Sequence, residues 1–183
     1  MDFMSILQTG AEQAAPLLLG WQWFCREADG SLTGGIINET EAYTQADAAS
    51  HSYKGMTSRT ATMFGPAGNI YVYFTYGLHW CANFVTGATG QGEAVLIRSL
   101  WPTHGLDTMQ LRRHSKLSVL CNGPAKLCQA LAITGADNGI SLTSERFVLL
   151  PPLKDYGAPR VSRRIGITKD THRLWRFTID ITA

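Results

Sequence analysis

The sequence predicts an α+β fold with a mostly antiparallel sheet, in a single domain spanning residues 1–183. Three observations lead there. Segments with period-two alternation outnumber those with helical periodicity. They come in pairs joined by short turns, as hairpins do. No internal repeat, low-complexity tract or linker interrupts the 183 residues, a length that buries its own core without disulfides or metals.

Taken in order, residues 4–19 read as a helix broken at Pro16. Trp21–Arg26 and Leu32–Tyr43 read as strands joined by Ala28-Asp-Gly-Ser31, whose Asp-Gly suits a hairpin turn. Residues 44–64 are small and polar, with little periodicity, as in a surface loop carrying a short helix. In the next strand Ile70, Val72 and Phe74 form an apolar face, and Tyr71, Tyr73 and Thr75 form the other. Tyr76-Gly77 breaks this alternation where the chain turns back, and glycine accepts a positive φ there. Tyr76 projects from that turn with nothing of its own to pack against. A return strand, a Gly-rich turn (Gly87–Gly92) and a strand from Ala94 to Leu100 follow. Leu106–His114 reads as a helix, and Pro124 fits the first turn of another reaching about Ile133. Phe147–Leu150, Val161–Thr168 and Leu174–Ile181 read as strands.

The formal net charge is only +2, but it is unevenly placed. Residues 1–90 hold three Lys/Arg against seven Asp/Glu, whereas residues 91–183 hold thirteen against seven. Arg112, Arg113 and Lys116 form one cluster, and Arg160, Arg163, Arg164, Lys169, Arg173 and Arg176 another. Such clusters are a solvated face or a polyanion-binding surface, since grouped cations release counterions from a phosphate backbone. The apolar run Pro16–Cys25 is too short to span a bilayer, and no signal-like segment precedes it. A cytosolic protein without a membrane partner is expected. The four cysteines form no Cys-x-x-Cys pair and are expected as buried free thiols. The five histidines lack zinc-ligand spacing, so neither metal nor other cofactor is expected.

Strand parity singles out Glu41. Alternation over Ile37–Tyr43 places Ile37, Glu39, Glu41 and Tyr43 on one face, and glutamates are disfavoured inside strands. An exposed face accounts for Glu39. For Glu41, between Thr40 and the aromatic ring of Tyr43, a general base is the competing reading.

Several segments together carry a family resemblance. They are Asn38-Glu-Thr-Glu-Ala-Tyr43, Ala49-Ser-His51-Ser, Met63 to Asn83, Val95-Leu-Ile-Arg98-Ser-Leu-Trp-Pro102 and Asn122-Gly-Pro-Ala-Lys126 onward to Leu131. In this order and spacing they resemble the alkyladenine DNA glycosylase family, also called 3-methyladenine or methylpurine-DNA glycosylases, from about Leu17 to Phe177. The resemblance implies a curved antiparallel sheet with flanking helices, and a monomer acting on double-stranded DNA that contains alkylated or deaminated purines. It departs from the family pattern at Thr57-Ser-Arg-Thr-Ala-Thr62, which lacks a Pro and an Asn, and at Leu78 and Ala125.

What the resemblance implies about chemistry is specific. Glu41 falls on the family's water-activating glutamate, and Arg98 on an arginine that helps hold the same water, assisted by a main-chain carbonyl near Arg164-Ile165. Tyr43 on one side, and His51 with Tyr73 on the other, enclose the flipped base. Tyr76 wedges into the vacated stack. Asn83 lies at the pocket floor and disfavours the 2-amino group of guanine. Lys126, with Arg164, is expected at the DNA backbone. No lysine occupies the catalytic position, so hydrolysis without a lyase step is expected. Each residue also has a plainer reading. Tyr43, Tyr73 and Asn83 suit a core, His51 a solvated loop, and Lys126 a simple helix start. Two other functions compete: a carbohydrate glycosidase using Glu39 and Glu41, and a non-catalytic nucleic-acid binder with a tyrosine platform.

Overall fold

The computed structural model describes residues 1–181. Its elements, in chain order, are α1 (Phe3–Leu7), α2 (Ala11–Leu17), β1 (Gln22–Arg26), β2 (Leu32–Tyr43), β3 (Ile70–Thr75), β4 (His79–Val85), β5 (Ala94–His104), α3 (Leu106–Arg113), α4 (Pro124–Ala130), β6 (Phe147–Leu150), β7 (Arg160–Ser162) and β8 (Arg176–Thr178). The strands form one curled antiparallel sheet in the order β3-β4-β5-β2-β1-β6, with β8 pairing β2 and β7 pairing β8. The fold is α+β.

β2 is the spine. Along one side it pairs with β5 for nearly its whole length. Along the other it pairs with β1 through Leu32–Ile36, then with β8 through Glu39–Glu41. At Gly35 the neighbouring strand comes so close that an added Cβ would lie 1.9 Å from the Trp101 carbonyl oxygen. Only glycine permits that approach, and it lets β5 continue through Pro102 to His104, past the expected end at Leu100.

Helices α1, α2 and α4 cover one face of the sheet, where the main core collects around Trp23, Phe84, Ile97 and Leu127. Trp23 meets Phe84 edge-on at 4.8 Å, an arrangement that adds about 0.5–1.5 kcal/mol to the burial of both rings. The Thr40 hydroxyl donates to the Ala15 carbonyl (2.8 Å) and ties β2 to α2.

Three expectations are corrected. The first helix breaks at Thr9-Gly10, not at Pro16. Gly10 caps α2, while Pro16 lies inside that helix, one residue from its end, and does not break it. The strands expected over Val161–Thr168 and Leu174–Ile181 shrink to the three-residue β7 and β8, because the chain between them leaves the sheet to contact the pocket. The alternation in β2 also fails. The pairing runs Ile37↔Leu100, Glu39↔Ser99, Thr40↔Ile97, with Asn38 extra on β2 and then Arg98 extra on β5. Each bulge inverts the parity of its strand. Ile37 therefore shares the main core with Ala42, and Glu41 and Tyr43 point to the other face.

Among the described residues no helix is long and apolar enough to cross a membrane. Cys25, Cys81, Cys121 and Cys128 are buried free thiols.

Candidate active site

Register assembles the site. Tyr71 on β3 pairs with Asn83 on β4, Asn83 with Leu96 on β5, Leu96 with Glu41 on β2, and Glu41 with Arg176 on β8. This row crosses five strands on the sheet face away from the helices. Over it lies a cavity of about 310 Å³, lined by Tyr43, His51, Tyr73, Asn83 and Arg98, with Tyr76 at its edge. Six of the residues singled out from the sequence thus come together around one space.

Glu41 does not line that space. Its side chain has no solvent exposure and lies beneath the wall formed by Tyr43 and Arg98. Oε1 accepts the Ile165 amide N–H (2.8 Å), Oε2 accepts the Tyr43 hydroxyl (2.8 Å), and Arg98 Nη1 stands 3.4 Å from Oε2. Burial pushes the carboxyl above its ordinary range, while Arg98 and the Ile165 amide oppose the shift. The segment near Arg164-Ile165 thus supplies a backbone donor to Glu41. Tyr43 is held protonated, as a donor, chiefly by its own burial and then by the Glu41 charge.

Arg98 is shared. Its Nε donates to Glu39 Oε1 (3.0 Å), and Arg176 Nε donates to the same oxygen (2.6 Å). Glu39, expected on an exposed face, is instead the carboxylate that orients Arg98.

The facing wall is aromatic. Tyr71 and Tyr73 stack at 5.6 Å, and the His51 ring meets Tyr73 edge-on at 4.5 Å, its Nδ1 lying 3.1 Å from the Tyr71 hydroxyl. His51 is exposed, yet partial burial and then the nearby Arg59 lower its pKa, which favours the neutral imidazole. Sequence reasoning gave Tyr71 and Arg59 no role. Tyr71 was signalled by sharing a strand face with Tyr73. Arg59, 5.8 Å from the centre of the Tyr73 ring, had no such signal. Asn83 Nδ2 donates to the Tyr71 carbonyl (3.0 Å), so the amide is both a satisfied buried group and part of the pocket surface.

At the hairpin tip, a three-residue loop between the paired Thr75 and His79, Tyr76 and Gly77 both adopt left-handed φ (51° and 67°), and the Leu78 N–H donates to the Thr75 carbonyl (3.2 Å). The Tyr76 side chain is 87% exposed and the neighbouring Leu78 75%. Lys126 stands in the first turn of α4 beside Pro124, which lines the cavity, and its Nζ donates to Asn122 Oδ1 (2.8 Å).

Arg164 is not at the surface. Its side chain is fully buried, donates to both carboxylate oxygens of Asp47 and to the Ala42 carbonyl (2.9 Å), and cannot reach a phosphate. The C-terminal basic cluster is largely neutralised in the same way. Arg160 pairs with Asp180, Arg173 with Asp170 and Arg176 with Glu39. Of that cluster, Arg163 and Lys169 are exposed and form no ion pair among the described residues. Among those residues, no three His, Cys, Asp or Glu side chains come together as metal ligands.

Comparison with known proteins points the same way. A protein of Agrobacterium fabrum named "Putative 3-methyladenine DNA glycosylase" is 47% identical over 180 residues, covering 98% of this chain and 89% of that protein. Proteins of the same name from Rhodopseudomonas palustris and Granulibacter bethesdensis are 49% and 51% identical, each over 79% of this chain and 72% and 70% of their own length. The family model described as methylpurine-DNA glycosylase matches residues 5–182. The chain belongs to the methylpurine-DNA glycosylase family.

Proposed function

We propose that this protein excises alkylated purines from duplex DNA by hydrolysis, leaving an abasic site. The observation that carries the proposal is Glu41: a fully buried carboxylate with a raised pKa, held by two hydrogen-bond donors and the Arg98 charge under the wall of an aromatic cavity. A carboxylate so placed takes a proton from water more readily than an exposed one, and general-base help of this kind is worth about 10²–10⁴-fold.

In the proposed reaction the lesion leaves the stack and enters the cavity between Tyr43 and the His51–Tyr73 wall. A volume near the lower end of the roughly 300–1,000 Å³ typical of small-molecule sites suits one heterocycle. Water attacks the anomeric carbon and gives its proton to Glu41, while the glycosidic bond breaks and its electron pair leaves with the base. A cationic alkylpurine departs neutral, and against aromatic faces it gains about 0.5–2 kcal/mol. Because Glu41 is sealed by Tyr43 and Arg98, water reaches it only when that wall gives slightly. Tyr76 fills the vacated stack, Lys126 meets the DNA backbone, and Asn83 crowds the purine 2-position. Among the described residues no lysine lines the cavity, which favours simple hydrolysis over a lyase step. Glu39 is bonded to two arginines and absent from the cavity lining, which disfavours a two-carboxylate carbohydrate glycosidase.

The test is release of free base from methylated duplex DNA, followed by a panel of single-lesion duplexes carrying 3-methyladenine, 7-methylguanine, hypoxanthine or ethenoadenine, with chelator present. Tight lesion binding with no base released would leave only the non-catalytic reading.

A further inference from the structure

Behind the cavity runs a ladder of alternating cations and rings. Arg173 lies 4.4 Å from the centre of the Trp175 ring, Arg164 lies 5.3 Å from Trp175, and the same Arg164 guanidinium lies 4.6 Å from the centre of Tyr43. Tyr43 is the last rung before the cavity. Arg164 is the only rung whose side chain is fully buried and also paired, through Asp47, to a second loop.

The backbone around Arg164 makes this arrangement consequential. Residues 163–167 follow β7 without regular structure, and both neighbours, Arg163 and Ile165, are exposed. The Arg164 side chain is thus the anchor of this stretch. The next amide in the chain, Ile165 N–H, is the donor to Glu41 Oε1. The guanidinium also holds the carbonyl of Ala42, the residue between Glu41 and Tyr43, whose own N–H donates to the Trp175 carbonyl (2.9 Å). Asp170, which accepts from the Ala48 amide (2.9 Å), braces the Asp47 loop from outside.

We propose that Arg164 is a positioning residue that fixes two parts of the site at once: the Tyr43 ring against which the base stacks, and the Ile165 amide that holds the Glu41 carboxylate. Its charge is offset by Asp47, so its contribution lies in shape and direction. A lysine keeps the charge opposite Asp47 but offers neither a flat face to Tyr43 nor the fork that reaches Asp47 and Ala42 together. The proposal deepens the glycosylase reading above, and its rate readout rests on that reading.

The experiment compares wild type, Arg164→Lys and Asp47→Glu. Three readouts are taken: melting temperature, single-turnover excision from a lesion duplex across pH, and carboxyl ¹³C titration of Glu41. The groups facing Glu41 are Arg98 from β5, Glu39 and Tyr43 from β2, the Ile165 amide and, farther off, Arg164 itself, whose positive charge Arg164→Lys retains. The expected result is a folded Arg164→Lys protein that excises about 10²-fold more slowly, the scale of a small misplacement of reacting groups. Its acidic rate limb and its Glu41 titration both move to higher pH, because a carboxylate that loses a fixed donor holds its proton more tightly. A slower enzyme with an unmoved limb and titration has lost only packing, and that overturns the proposal, as does wild-type behaviour throughout. If Arg164→Lys does not fold, Asp47→Glu, which keeps the charge but moves the carboxylate that anchors the guanidinium, decides by the same two pH readouts. If wild type releases no base, the glycosylase reading fails, and the titration alone decides the positioning role.

Discussion

The Tyr43 hydroxyl donates to Glu41 Oε2 at 2.8 Å, so one residue offers its ring to the cavity and its phenol to the buried carboxylate beneath. Base stacking and water activation therefore share a side chain. Tyr43→Phe keeps the ring and deletes the bond. Glu41 loses a donor to its charged form and its pKa rises further, so the acidic limb of excision should move to higher pH while lesion-DNA affinity stays near wild type. A limb that does not move would show that the bond contributes nothing to the state of Glu41.

Glu41→Gln should lower excision by several orders of magnitude and leave lesion binding largely intact, since the amide keeps the shape and can still accept from Ile165. Activity within tenfold of wild type would mean that another group activates the water.

The same substitution reports on stability. The folded-state pKa of Glu41 is raised above the unfolded value of about 4.3. The folded protein thus binds more protons than the unfolded chain between those two values, and stability falls as pH rises through that window. Above it the ionised buried carboxylate is a standing cost. The melting temperature of Glu41→Gln relative to wild type should therefore climb from acidic to neutral pH. A constant difference would contradict the raised pKa.

Tyr76→Ala should weaken lesion binding and slow excision in duplex DNA more than in single strands, because only the duplex leaves a gap to fill. Tyr76 is so exposed that folding should be unaffected. Equal losses on both substrates would mean that it does not act as a wedge.

At Asn83 two roles coexist. Nδ2 satisfies the Tyr71 carbonyl, and the amide also faces the cavity. Asn83→Ser should relieve crowding at the purine 2-position, which opposes guanine by about 1–3 kcal/mol, and release relatively more guanine or its adducts than hypoxanthine. A proportional loss for every base, with earlier melting, would leave only the core hydrogen bond.

Local pattern was enough for much of the molecule. The span of β2, the β3–β4 hairpin and its Tyr76-Gly77 turn, α3 and β6 follow from alternation, helical period and turn chemistry, all of which act within a few residues. The order and spacing of the motifs around Glu41, His51, Tyr73 and Arg98 pointed to the family that the comparisons then established. Tertiary structure decided the rest. The bulges at Asn38 and Arg98, which turn Ile37 into the core and Glu41 toward the cavity, arise where β2 exchanges β1 for β8, a switch between strands far apart in sequence. The shortening of β7 and β8 follows from the contact of Ile165 with Glu41, and the burial of Arg164 from Asp47, more than a hundred residues upstream, which supplies the carboxylate that an interior guanidinium requires. A run of arginines reads the same in sequence whether its charges meet phosphate or a distant aspartate, because a charge's partner is set by where the chain returns in space.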